Sequence, residues 1–296
     1  MTASLARDHR AAADVGRRAR LELVFARCNG RTILAHAYAE PPFRVGRWFA
    51  EGDGLHMVMV ASAPGIFSGD SFEQVIRIER GARVRLTSQS ALQVHPSGAG
   101  GSRGVRRKPD GAEICSSYHV ADAASLHCQW DPVIPFAGAR FEQRIDIQLA
   151  PTAHLFWSDA YMAGRAFADR TAVGLGGGAN EVTGERWAFT SLGHELRISR
   201  EKILEYLERY RIVPTERNVA HPWAAGEACY FGTLIRSGVA TSLADAERLH
   251  AEFASREGVR AATDAVSPIL WITRAMATRG VPFHAVRQLV TANMRL

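Results

Sequence analysis

The sequence predicts a mainly β protein: an elongated superhelical stack of antiparallel β-hairpins with a small C-terminal helical part. Three observations carry this expectation. From Leu21 to about Trp157, short runs alternate apolar and polar residues at period two, the spacing that sends side chains to opposite faces of a strand. One pattern recurs within them: Ile78-x-x-Gly81-Ala82-x-Val84-x-Leu86, then Val120-x-Asp122-Ala123-Ala124-x-Leu126, then Ile147-x-Leu149-x-Pro151-x-Ala153-x-Leu155. Its spacing is too irregular for a solenoid of fixed period and implies hairpins laid one after another. Helical spacing with good capping signals, finally, is confined to the chain beyond Ser242.

Taken in order, residues 1–20 hold five arginines and two aspartates and are expected to form a basic flexible segment ahead of a single β-rich domain over 21–296. Val75–Ile78 leads through Arg80-Gly81 into Arg83–Thr87, and Phe141–Leu149 turns at Ala150-Pro151; both read as hairpins. Between them Ser97–Gly111, rich in glycine and charge, reads as a long loop. In Glu201–Arg211, Ile203, Leu204, Leu207 and Tyr210 lie at helical spacing, so periodicity favours a helix, although the aromatic, arginine-rich composition also suits a strand. A helix near 243–257 follows, with Ser242 and Asp245 in capping-box spacing, Leu243, Ala246, Leu249 and Phe253 on one face, and Gly258 ending it. A second, near 282–294, starts at Pro282 with Phe283, Val286, Leu289, Val290 and Met294 inward.

Composition narrows the function classes. At 296 residues, 47% apolar and 22% charged, the chain falls in the globular range, which excludes wholesale disorder and a disulfide-dense scaffold. Apolar runs such as Met57–Ala61 and Ile269–Ile272 are far too short to cross a bilayer, and the N terminus lacks the apolar stretch of a secretory signal. Cys28, Cys115, Cys128 and Cys229 form no C-x-x-C pair and read as reduced, half-buried thiols of a cytoplasmic protein. The net charge of +6 is fully accounted for by residues 1–20 and Arg103–Asp110, each contributing +3. No basic stripe with interleaved aromatics remains, which argues against nucleic acid as a partner.

Several kinds of chemistry lack their signatures. Gly174–Gly178 has neither the lysine and hydroxyl of a phosphate loop nor G-x-G-x-x-G spacing, and reads as a surface loop. No G-x-S-x-G elbow occurs. The eleven histidines include no H-x-H or H-E-x-x-H; His194, His221 and His284 read as structural or exposed, while His95 stays a candidate transient ligand. What stands out is a set of acids in otherwise apolar or glycine-bearing strands: Asp70, Asp131, Asp159 and Glu185. Asp70 after Ser68-Gly69 is equally a turn acid, and Asp131 before Pro132 equally a strand terminator. Asp159 is harder to dismiss, because Leu155-Phe156-Trp157-Ser158 and Ala160-Tyr161-Met162 flank it with residues that normally lie inside. A buried carboxylate must be paired, protonated, or facing water or a cation.

Five ordered stretches resemble the urease accessory protein UreD family, called UreH in some bacteria. They are Pro64–Asp70, Leu86–Pro96, Trp130–Arg140, Trp157–Arg165 and Gly184–Phe189, within a likeness that runs from about Leu21 to the C terminus. The resemblance implies an elongated, mostly β superhelix that catalyses nothing itself, with no tightly bound cofactor and Ni²⁺ as transient cargo. It implies UreF, the GTPase UreG joined through UreF, and apo-urease as partners. It also implies a water-filled passage whose motif acids fall on Asp70, Asp131, Asp159 and Glu185, and a strand over Lys202–Tyr210. Ile66 and Ser68 replace glycines common in the first motif, Gln93 stands where lysine is frequent, and Ser102–Asp110 looks like an insertion; none of these removes an acid. Two other classes remain to be weighed: a metal-assisted hydrolase using the same acids as ligands, and a basic nucleic-acid binder using residues 1–20 and 103–110.

Overall fold

The computed structural model describes residues 16–97, 111–167, 184–240 and 242–293. The Gly174–Gly178 stretch and most of the Ser97–Gly111 loop, with its basic residues, lie outside them. The strands are β1 (Arg18–Cys28), β2 (Arg31–Ala39), β3 (Phe43–Arg44), β4 (Trp48–Glu51), β5 (Gly54–Ala61), β6 (Ser71–Ile78), β7 (Arg83–Ser88), β8 (Leu92–Val94), β9 (Ala112–Val120), β10 (Ser125–Gln129), β11 (Val133–Pro135), β12 (Arg140–Leu149), β13 (His154–Met162), β14 (Ser191–Arg200), β15 (Ile203–Ile212) and β16 (Tyr230–Ser237). Helix α1 (Leu243–Ala254), β17 (Val259–Ser267), β18 (Leu270–Ala277) and α2 (Gly280–Asn293) complete the chain. The molecule is mainly β, as the alternation predicts. Because β1 starts at Arg18, part of the basic N-terminal segment belongs to the fold.

The strands form two sheets, one ordered β15-β14-β12-β9-β6-β1-β2 and the other β17-β18-β16-β13-β10-β7-β5-β3. Inside the first sheet β1, β6, β9, β12 and β14 are mutually parallel, and so are β5, β7, β10 and β13 in the second. The chain therefore steps from one sheet to the other and back with each pair of strands. This corrects the hairpin expectation: β6 and β7 do not pair, nor do β12 and β13, because the members of each pair lie in opposite sheets. Period two gives a strand one buried face whichever sheet it joins, so alternation cannot distinguish the two arrangements. The recurring pattern marks the corners where the chain crosses. Ala82, Ala124 and Ala153 are each 0% exposed. Their corners stack, with the Ser125 amide donating to the Ala82 carbonyl at 2.9 Å and the His154 amide to the Ala124 carbonyl at 2.9 Å.

True hairpins occur at the margins. Asn29-Gly30, both at positive φ, joins β1 to β2 with the chemistry of a primed two-residue turn. Glu201-Lys202, at φ 49° and 69°, does the same between β14 and β15. That turn corrects the helix expected from spacing over 201–211: the segment is strand β15, in agreement with the family resemblance.

Alternate residues of both sheets fill one core, including Leu21, Leu23 and Phe25 of β1 opposite Leu126 and Cys128 of β10 and Trp157 of β13. Helices α1 and α2 cover the outer face of the second sheet, where Leu249, Phe253, Phe283, Val286 and Val290 pack against Phe156, Leu234 and Trp271. The Ser242 Oγ caps α1 by accepting from the Asp245 amide at 3.1 Å, as the capping-box spacing predicts. Helix α2 begins at Gly280, ahead of Pro282. Gly232 lets it sit close, since a Cβ there would come within 2.7 Å of the Phe283 ring. Cys28 is exposed, Cys115 partly buried, Cys128 and Cys229 buried, and all four are free. Among the described residues no helix is long and apolar enough to cross a membrane.

Candidate functional site

The four singled-out acids occupy two different settings. Asp70, in the turn before β6, is 2% exposed. It accepts from the Phe67 amide at 2.9 Å and the Arg17 amide at 2.7 Å, and both its oxygens face the Arg17 guanidinium. Burial alone would push its carboxyl up; the bonds from Arg17 and Phe67 outweigh this and hold it below the usual carboxylate range. Glu185 binds Arg165 in the same two-pronged way, with Nε to Oε2 at 2.9 Å, and accepts from the Ala137 amide at 3.0 Å. Between the two guanidiniums runs an aromatic stack. Arg17 lies 5.4 Å from the Phe67 ring centre, Phe67 and His95 are parallel at 4.2 Å, His95 meets Phe136 edge-on at 4.9 Å, and Arg165 lies 4.2 Å over Phe136. All five motif stretches thus contribute to one brace, through Phe67 and Asp70, His95, Phe136, Arg165 and Glu185.

Asp131 and Asp159 face an interior space instead. The second sheet is interrupted at one level: β7 ends at Ser88 and β8 resumes at Leu92, while β10 ends at Gln129 and β11 resumes at Val133. Beside this break lies a cavity of about 300 Å³, bounded by Gln74, Ser116 and Gln143 from the first sheet and by Asp131, Trp157 and Asp159 from the second. Its lining continues to exposed Ala61, Pro64 and Ser90, so it opens near the end of β5. Asp70, Glu185 and His95 do not line it. The Asp131 amide donates to Ser88 Oγ at 2.7 Å, fixing the backbone that carries its carboxylate between β10 and β11. Asp159 is 15% exposed, accepts from Trp157 Nε1 at 3.0 Å and lies 3.7 Å from His194 Nε2. Among the described residues neither carboxylate has an arginine within ion-pair distance.

Three further buried side chains lie around these two acids without lining the cavity, none singled out as a candidate by the sequence. His194, expected to be structural or exposed, is 7% exposed; its Nδ1 lies 3.4 Å from Gln143 Oε1 and its ring stacks on Tyr210. Glu208 on β15 has Oε1 3.3 Å from Thr233 Oγ1 and 3.4 Å from Arg274 Nη2, while Oε2 is buried without a partner. Burial first, and the charge of Asp159 second, push its carboxyl up. Arg287 on α2 donates from Nε to Ser158 Oγ at 3.0 Å and from Nη2 to the Trp130 carbonyl at 2.6 Å. Burial lowers its pKa, opposed by the charges of Asp131 and Asp159. Both omissions had a signal. Glu208 alternates with Tyr206 and Tyr210 at strand period, and Arg287 falls between Phe283 and Val290 on the inward face of α2. Among the described residues no three His, Cys, Asp or Glu side chains converge closely enough to hold a metal ion.

A family model described as UreD urease accessory protein matches residues 17–295. The chain belongs to the UreD family. Among curated relatives it is 27% identical to the urease accessory protein UreD of Lysinibacillus sphaericus, across 73% of this chain and 72% of that protein. It is 30% identical to UreD of Sorangium cellulosum across 73% of this chain and 61% of that one. The urease accessory protein UreH of Helicobacter hepaticus matches at 24% across 64% of this chain and 65% of that protein. The family is named for an accessory part in making urease, not for a reaction of its own, so this UreD-family chain is a urease accessory protein.

Proposed function

We propose that this UreD-family chain is a non-enzymatic chaperone that works in the cytoplasm with UreF and the GTPase UreG. It docks on apo-urease and helps deliver Ni²⁺ to the active site, the ion crossing the chain through the cavity between the sheets. The observation that supports this reading is that Asp131 and Asp159 both line one interior cavity and, among the described residues, neither has an arginine within ion-pair distance. Nickel ranks high in affinity for nitrogen and sulfur ligands, so a cluster of histidines or thiolates would hold it. Two carboxylates on a hydrated divalent ion give attraction without a deep well, which is what a conduit needs for entry and release. Asp70 and Glu185 take another part: they clamp Arg17 and Arg165 around the aromatic stack and so fix the end of the molecule next to the cavity. GTP is spent by UreG, and the chain contributes geometry and charge.

The test is co-production of urease with its accessory proteins, using this chain carrying Asp131→Asn and Asp159→Asn together. The expected outcome is that the accessory complex still co-purifies with urease, while urease activity and nickel content fall. Full activation by the double variant would refute the assigned route.

A further inference from the structure

A buried cation sits behind the cavity wall without lining it. Arg287 is 1% exposed and is anchored to two places that matter: the carbonyl of Trp130, the residue before Asp131, and the hydroxyl of Ser158, the residue before Asp159. It reaches them from α2, on the outer face of the second sheet, at the level where the β10 ladder breaks off. Its guanidinium is spent on a carbonyl and a hydroxyl, and among the described residues it forms no ion pair, so its full positive charge stands behind two carboxylates that it does not clamp. A buried arginine held next to acids but not paired with them is costly. Pinning α2 would need only an apolar side chain, as Phe283, Val286 and Val290 already provide.

We propose that Arg287 is a positioning residue that sets how weakly the Asp131–Asp159 pair holds a divalent cation. The inference rests on the cavity being the ion route and adds to it the device that prevents trapping. With the guanidinium in place, part of the negative field of the two acids is already answered, so an arriving Ni²⁺ finds attraction but no deep minimum. Without it, the same two carboxylates hold the ion more strongly, because like-charge repulsion in a poorly solvated wall is screened little.

The test is equilibrium dialysis of the full-length purified chain against Ni²⁺, comparing the parent with Arg287→Gln, which keeps a hydrogen-bond donor and loses the charge, and Arg287→Lys, which keeps the charge. The expected result is that Arg287→Gln binds Ni²⁺ about tenfold more tightly than the parent or Arg287→Lys. The gain disappears when Asp131→Asn and Asp159→Asn are added. If Arg287 only fastens α2, both substitutions lower the melting temperature and neither tightens binding; that outcome overturns the inference. Equal tightening by Gln and Lys overturns it too, since charge would then be irrelevant. Should the Gln variant not fold, Arg287→Met is read against Arg287→Lys by the same criterion. If the parent's Ni²⁺ binding depends on the two acids but no neutral variant tightens it, the inference alone fails. If removing the acids changes binding in no background, the cavity reading fails with it.

Discussion

Asp70 shows what a buried acid costs when its charge is answered by a single partner. Its side chain is 2% exposed and its oxygens are shared among the Arg17 guanidinium and two backbone amides. Asp70→Asn keeps the shape and removes the charge, so it is expected to destabilise the fold at pH 7 by about 2 kcal/mol, discounted for the partial exposure of Arg17. The folded carboxyl titrates below its ordinary 3.8, so this contribution is complete above the ordinary carboxylate range and is lost as pH falls through the depressed folded value. Urea unfolding of the two forms should therefore differ at pH 7 and converge only as the pH falls through the depressed carboxyl value; a pH-independent gap would contradict the assignment. The burial of Asp159 was legible in its neighbours, since the flanking residues are all of interior type. The partners of Asp70 and Glu185 were not, because Arg17 and Arg165 are 53 and 20 residues away and no local pattern marks them.

At the scale of elements, capping and periodicity performed unequally. The spacing of Ser242 and Asp245 located the start of α1 because an N-cap is a local interaction, complete within four residues. Ser242→Ala leaves the Asp245 amide without its acceptor and is expected to cost about 1 kcal/mol. Amide hydrogen exchange should show the loss first in α1, leaving the sheets protected; uniform loss would contradict it. Over 201–211 the helical spacing of Ile203, Leu204 and Leu207 misled, because these residues are the exposed side chains of an edge strand and bury nothing together. Two consecutive positive-φ residues, Glu201 and Lys202, turn the chain back along β14, and the backbone pairing of β14 overrides the weak helical preference. Read at strand period, Tyr206, Glu208 and Tyr210 share one face, and the buried Glu208 becomes visible.

For the whole molecule, the alternation showed that the chain is built of strands but not which strands meet. A strand with one buried face satisfies the same pattern in a hairpin or in a two-sheet arrangement where each neighbour arrives from the previous turn of chain. The three echoes were corners, recognisable in retrospect by a fully buried alanine where stacked backbones leave no room for more. The cavity was beyond reach of the sequence because it arises from a coincidence in space: β7 and β10, separated by the whole of β9, lose their ladder at the same level. Asp131 and Asp159 both line it, while Asp70 and Glu185 are recruited by arginines at the neighbouring end. The proposed ion route depends on where a divalent cation settles when offered to the intact chain. Anomalous diffraction at the nickel edge from crystals equilibrated with Ni²⁺ measures this directly. A peak in the cavity within reach of Asp131 and Asp159 is the predicted result; ordered nickel at His95 or on the surface histidines, with none between those two acids, would contradict it.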